Sequence, residues 1–310
     1  MARFEGNNPD YAAGLVLNMR EVDEGGPVLS PCSADWRAGQ SRRQTELLVL
    51  VHGFNNHRRE AQDAYLGFRA LQKQRLDAAY TSGFEDMLGD GFWPGDANFT
   101  GPLDLVDFLV YPATVARAKQ TAVVLAGYLA TQRADVVSLS FVGHSMGCRV
   151  ILETIKLLLP VPGYRDRIAK VCLMAAAVPT RAVFPGGDLA DALGAARQVE
   201  VLHSSDDLVL NLAFPIGQTL AGDGFFPEAI GRHGNIPASP GHVDRHRVAN
   251  AGHSDYWGWN GSAASAAAAD LVSQLLAVGV TWRRLPDVVL PARSAAPERA
   301  GPAPRVVGRC

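Results

Sequence analysis

Residues Val136–Leu159 read VVSLSFVGHSMGCRVILETIKLLL. The first seven, Val136 to Val142, are a short apolar-rich run suited to a buried strand. From Ser145 onward the spacing changes. Val150, Ile151, Thr154, Ile155 and Leu158 recur at helical intervals as far as Leu159, and Pro160 and Pro162 stop the pattern. Between the two lies Gly143-His144-Ser145-Met146-Gly147, a G-x-S-x-G arrangement with a strand running in and a helix running out. In that setting the serine occupies a tight turn that lifts its hydroxyl above the sheet edge. The turn packs so closely that the positions two before and two after must be small, and both are glycine. The helix that follows aims its first amides at the same point, which favours negative charge there.

Reading outward, Leu47–Val51 is a continuous aliphatic run that ends at His52-Gly53, as a central parallel strand would. Ala61, Ala64, Tyr65, Phe68 and Leu71 then recur at helical spacing, and a second helix is predicted over about 112–131. Further strands are predicted at 169–178 and 199–202, and an alanine-rich helix at 262–278. Strands alternating with helices imply an α/β fold with a mostly parallel sheet covered on both faces. Residues 1–46 read as N-terminal edge strands of the same domain, an antiparallel pair formed by Ala13–Val22 and a segment after Gly25-Gly26. Two stretches, 83–107 and 211–251, are rich in Gly, Pro and Asp and read as long loops, the second a lid-like insertion. The main domain is expected over 47–285, and the Pro- and Arg-rich residues 291–310 as a disordered tail.

The 310 residues are 47% hydrophobic and 19% charged, with a net charge of −2. A chain of this size buries a substantial core, and near-neutral charge supplies no reason to expect nucleic acid as a partner. No run approaches the roughly 18 apolar residues of a membrane span, and Glu5, Asn7 and Asn8 stand where a signal peptide would be apolar, so the expected location is cytoplasmic. Cysteines at 32, 148, 172 and 310 show no CxxC spacing, which indicates neither a zinc site nor a dense disulfide framework. His242 and His246 flank Asp244, but metal-binding i, i+4 histidines work best on a helix, and this stretch is full of Gly and Pro; no metal and no cofactor is expected.

A serine hydroxyl is a poor nucleophile at neutral pH and needs a base, which in turn needs an orienting acid. In a strand–serine–helix architecture the order along the chain is serine, acid, histidine. The acid belongs just beyond a later strand, where Asp206 and Asp207 follow 199–202. The histidine belongs in a loop before the last helix, where Gly252-His253-Ser254 precedes 262. Asp207 is preferred, with Asp206 the alternative. Among the other histidines, His57, His203 and His233 read as loop or surface residues, His52 as a packed structural one, and His144 as lying beside the site without acting. An oxyanion in acyl transfer needs amide donors. The residue after the serine, Met146, supplies one, and the loop that opens His52-Gly53-Phe54-Asn55-Asn56 supplies the other from Phe54.

Together, Leu48–Asn55, Gly143–Gly147, Asp206-Asp207 and Gly252–Ser254 resemble the alpha/beta-hydrolase superfamily. Val-His-Gly-Phe-Asn-Asn at 51–56, Trp93-Pro94 and the segment Ser204–Leu210 look like a bacterial esterase/lipase-like branch of mostly undefined substrate. The resemblance covers about 45–285 and places Asp207 rather than Asp206 in the acid position. It implies a serine hydrolase cleaving a small-molecule carboxylic ester through an acyl-enzyme on Ser145. An amidase, peptidase or acyltransferase would use the same triad, and a non-catalytic binding protein would keep only the fold. Phe54, Trp93, Phe225, Phe226, Tyr256 and Trp257 are candidates for an apolar acyl or aryl pocket.

Overall fold

In the computed structural model, Glu46–Val51 is a strand whose side chains from Leu47 to Val51 are all buried on both faces. The described residues are 8, 10–11, 14–21, 26–36, 45–76, 83–96, 105–222, 226–236, 242–258 and 260–277, without side chains at 105–111. Phe225, the expected tail at 291–310 and the stretch from 278 to 285 lie outside them.

Strands β1 (Leu15–Arg20), β2 (Val28–Trp36), β3 (Glu46–Val51), β4 (Leu88–Phe92), β5 (Ser138–His144), β6 (Ile168–Met174), β7 (Gln198–His203) and β8 (Val243–Arg247) form one sheet in the order β2-β1-β4-β3-β5-β6-β7-β8. Every neighbouring pair is parallel except β1 with β2. The N-terminal antiparallel pair predicted from the sequence is present. β1 is not an edge, however, because it also pairs in parallel with β4.

The connecting helices are α1 (Arg58–Leu76), α2 (Leu105–Gln132), α3 (Met146–Leu158), the short α4 (Thr180–Val183), α5 (Ala190–Ala195), α6 (Phe214–Leu220), α7 (Ile230–His233) and α8 (Ala263–Ala277). They form two packed groups. α1 lies against α8, tied by Gln72 Nε2 donating to the Ala269 carbonyl at 3.2 Å; α2 lies against α3, with α5 against α3 and α6 against α2. The alternate side chains of β3, β5 and β6 are buried in both directions, so each face of the sheet carries a helical layer.

Three strands depart from the sequence-based expectation. β4 lies inside the stretch read as a loop, because Leu-Gly-Asp-Gly-Phe lacks any strand pattern. Its glycines make room for neighbours: a Cβ at Gly89 would meet the side chains of Leu47, Leu17 and Leu15 at 3.3–3.5 Å, and one at Gly91 would stand 2.9 Å from the Leu50 carbonyl. β8 lies inside the expected lid-like insertion and extends the sheet beyond β7; as a polar, partly exposed edge strand it shows no apolar run. That insertion is therefore not a single lid, since β8 belongs to the sheet. β6 ends at Met174, four residues early. Ala175 turns at φ 44°, and the chain crosses in front of Ser145, where the Ala177 amide donates to the Ser145 carbonyl at 3.1 Å. No helix among the described residues is long and apolar enough to cross a membrane.

Asp90, in the centre of β4, is fully buried, paired with Arg69 Nη2 of α1 at 2.8 Å and hydrogen-bonded by the Tyr11 hydroxyl. Removing one member of a buried ion pair leaves its partner uncompensated. Asp90→Ala is expected to lower unfolding free energy by about 3–5 kcal/mol in urea denaturation. A loss near zero would show that Arg69 and Tyr11 do not depend on that carboxylate.

Candidate active site

Ser145 stands between β5 and α3 at φ 53°, ψ −123°, a strained conformation for a residue with a side chain. The strain is held on several sides. Its amide donates to the Met174 carbonyl at 2.9 Å, and its carbonyl accepts from Ala177 at 3.1 Å and Cys148 at 3.1 Å. The flanking glycines are closely packed, Gly147 against backbone and Gly143 against a side-chain end. A Cβ at Gly143 would lie 2.5 Å from Ile151 Cδ1, and one at Gly147 would lie 2.4 Å from the carbonyl oxygens of both Val51 and His52.

The chain brings three of the sequence-predicted residues into one line. His253 Nε2 is 2.8 Å from Ser145 Oγ, and His253 Nδ1 is 2.7 Å from Asp207 Oδ2. Asp207 is fully buried, and its other oxygen accepts from the Leu210 amide at 3.0 Å, which orients the carboxylate. Asp206 faces elsewhere: its Oδ2 accepts from the Asn250 amide at 3.1 Å and lies 3.6 Å from Arg247. The loop carrying His253 is tied to the start of α8. Asp255 Oδ2 accepts from the Gly252 amide at 2.7 Å, while Asp255 Oδ1 accepts from Ser262 Oγ at 3.2 Å.

The backbone of the His52–Asn56 loop passes against Ser145, for a Cβ at Gly53 would stand 3.1 Å from Ser145 Cβ. The loop is held from beneath. Asn55, at φ 58°, donates to the Gly95 carbonyl at 2.7 Å, and Arg20 Nη1 donates to the Asn56 carbonyl at 3.3 Å while its Nη2 pairs with buried Asp96 at 2.6 Å. Met146, the first residue of α3, directly follows Ser145, and Phe54 follows Gly53 on this loop.

The aromatic candidates divide. Trp93 is fully buried beneath the loop, stacked on His52 at 5.8 Å with its Nε1 donating to the His52 carbonyl at 2.8 Å, so it packs under the site instead of lining an opening. Trp257 is equally enclosed, against Tyr65 at 5.5 Å and Phe68 at 5.8 Å. Tyr256 packs within 6.0 Å of His144. Phe226 is 58% exposed at φ 44°, its amide bonded to Thr219 Oγ1 at 2.8 Å, and is a surface residue. A cavity of about 790 Å³ opens nearby among Arg149, Glu153, Thr180, Arg181, Phe184 and Glu228; Ser145 and His253 do not line it.

The sequence reading missed two features. His144 is not idle: its Nε2 lies 2.6 Å from the His253 carbonyl oxygen. The only signal for this was its place beside Ser145. The other is an apolar stripe at four-residue spacing directly after Asp207, in which Leu208, Leu212, Ile216 and Leu220 are 65%, 56%, 36% and 51% exposed. His242 precedes β8 and His246 lies within it, and the extended chain separates them by roughly 13 Å, which removes the pairing a helix would give. Among the described residues no group of three or more His, Cys, Asp or Glu is placed to hold a metal ion.

Burial holds His52 and His144 neutral, each pushed down to about 3 from an ordinary value of 6.5. His52 Nδ1 lies 2.9 Å from the Gly53 carbonyl, so that nitrogen carries the proton, and Nε2 accepts from the Trp93 amide at 3.3 Å. Unfolding restores the ordinary values. Between about 3 and 6.5 the unfolded chain therefore binds more protons, and stability falls as pH drops through that window. Urea denaturation is expected to show wild-type stability declining from pH 7 to pH 4, with a shallower decline in His144→Gln. Equal slopes would mean that His144 is not held neutral.

No family model matches the chain. One curated protein, a phospholipase A1 from Dinoponera quadriceps, is 32% identical over 130 residues, a segment covering 40% of this chain and 32% of that protein. Esterase PE8 aligns in structure over 75% of this chain and 91% of its own, at 18% identity and a TM-score of 0.41. LpqC, a poly(3-hydroxybutyrate) depolymerase from Bordetella parapertussis, aligns over 81% and 84% at 18% identity and a TM-score of 0.40. By its eight-stranded, mostly parallel sheet with helices on both faces and the strand–Ser145–helix turn at the carboxyl end of a central strand, the chain has the alpha/beta-hydrolase fold.

Proposed function

We propose that this protein is a serine hydrolase of carboxylic esters, with Ser145 as nucleophile, His253 as base and Asp207 as orienting acid. The observation that carries this reading is the unbroken hydrogen-bonded line from Asp207 through His253 to Ser145, at 2.7 and 2.8 Å. His253 Nε2 takes the Ser145 proton as Oγ attacks the ester carbonyl. The amides of Phe54 and Met146 stabilise the oxyanion. His253 then returns the proton to the departing alcohol, and water, activated in the same way, releases the acid from Ser145. Asp207 holds the His253 tautomer and stabilises its cation. The partial similarity to a phospholipase A1 supports an ester as the bond cleaved. The uncharged segment Leu208–Gly222, with its exposed aliphatic stripe beginning beside Asp207, favours an apolar acyl chain.

A fluorophosphonate should label the wild-type protein covalently and leave Ser145→Ala unlabelled; absence of labelling on folded wild type would sink the reading. Asp207→Asn is expected to lower kcat by about 10⁴-fold, and Asp206→Asn to leave it near wild type. The reverse ranking would move the acid to Asp206. Across esters of increasing acyl length, kcat/KM should rise by up to about fourfold per methylene, the equivalent of roughly 0.8 kcal/mol of burial. A flat profile would dissociate the apolar stripe from substrate binding.

A further inference from the structure

We infer that His144 is a positioning residue for His253: its Nε2–H grips the backbone carbonyl of the residue that supplies the base, so that the dipeptide His144-Ser145 sets the places of nucleophile and base together. The inference rests on the reading of Ser145, His253 and Asp207 as the reacting groups.

The geometry is specific. The His253 carbonyl oxygen, 2.6 Å from His144 Nε2, can only accept, so Nε2 carries the hydrogen and Nδ1 is bare. Nδ1 is buried with no hydrogen-bond partner and faces the backbone of Gly53, where a Cβ would come within 2.8 Å of it. An unpaired buried nitrogen is destabilising, a cost that an aliphatic side chain of similar size would avoid. The other nitrogen is what the position gains.

The ring also meets the loop that carries the base along its side. It lies 4.9 Å from the His253 ring, 6.0 Å from Tyr256 and 6.3 Å from Trp257. The bonds from Asp255 tie this loop to Ser262, the residue before α8. The His144 bond ties it to the turn between β5 and α3. With two anchors on adjacent residues, Ser145 Oγ to the His253 ring and His144 Nε2 to the His253 backbone, the backbone of His253 cannot draw away from Ser145 without straining both.

Electrostatics suit the role. Burial and the neighbouring His253 keep His144 neutral, pushed down to about 3. When His253 takes the serine proton, the ring 4.9 Å away therefore adds no second positive charge. A lysine or arginine could donate the same bond but would oppose formation of the imidazolium.

The test compares His144→Leu, which fills the space without a donor, with His144→Gln, whose amide N–H can reach a carbonyl. Turnover of a short, soluble ester is followed with the full-length protein, with Ser145→Ala in parallel. The Leu variant is expected to lose about 10- to 100-fold in kcat, the cost of misplacing a reacting group by an ångström or less, while KM changes by no more than about twofold. The Gln variant should recover most of kcat. The downfield proton resonance of His253 Nδ1–H should be sharp in wild type and the Gln variant and weakened in the Leu variant. If the Leu variant fails to fold, His144→Met replaces it in the same comparison. Wild-type kcat in the donor-less variant would overturn the inference. So would equal losses in the Gln and donor-less variants alongside equal drops in thermal midpoint, which would reduce His144 to packing. Retained turnover in Ser145→Ala would overturn the reading of the site itself.

Discussion

The contact between Gly147 and the end of β3 governs the arrangement of the site. A single methyl group at that glycine would come 2.4 Å from two carbonyl oxygens, those of Val51 and His52. This closeness lets α3 start directly above the sheet, holds Ser145 at φ 53°, and brings the His52–Asn56 loop alongside the serine. The strain at Ser145 costs about 1–3 kcal/mol. It persists because hydrogen bonds from β6 and the chain after it, at Met174 and Ala177, enclose the turn.

Buried charge supports the same loop from below. Arg20 and Asp96 are almost wholly enclosed, and the guanidinium bridges Asp96 to the Asn56 carbonyl. Arg69 and Asp90 form a second enclosed pair one strand away, beneath α1. Such pairs contribute little net stability over apolar packing, but they tolerate few alternative arrangements. Here Arg20 and Asp96 fix the Asn56 end of the loop that passes beside Ser145, a task that apolar contacts alone specify less sharply.

The histidines illustrate how environment assigns different work to one side chain. His52 and His144 are enclosed and neutral, bonded to backbone carbonyls. His253 is partly open and lies between a carboxylate and a hydroxyl. Sequence position alone separates these roles poorly. His144 is the variable residue of the G-x-S-x-G turn, and its bond to the His253 carbonyl spans more than a hundred residues.

Much of the fold was legible in the chain because its central strands are buried on both faces and therefore read as unbroken aliphatic runs, as at Leu47–Val51, while the flanking helices repeat at three and four. Ser145 was legible because the turn admits only glycine at 147 and leaves little room for a side chain at 143. β4 and β8 were not, since one substitutes glycines and a paired aspartate for side-chain packing and the other is a polar edge. Nor does local pattern place Trp93 or Trp257 in the core instead of beside a pocket, because an aromatic serves equally well in both. The sequence by itself determined the strand–serine–helix turn and the order of the residues around it. The sequence preferred Asp207 over Asp206 without showing its contact, and the bond from Asp207 to His253, like what His144 holds, is visible only in the tertiary structure, because those contacts depend on the direction of side chains brought together from separate loops.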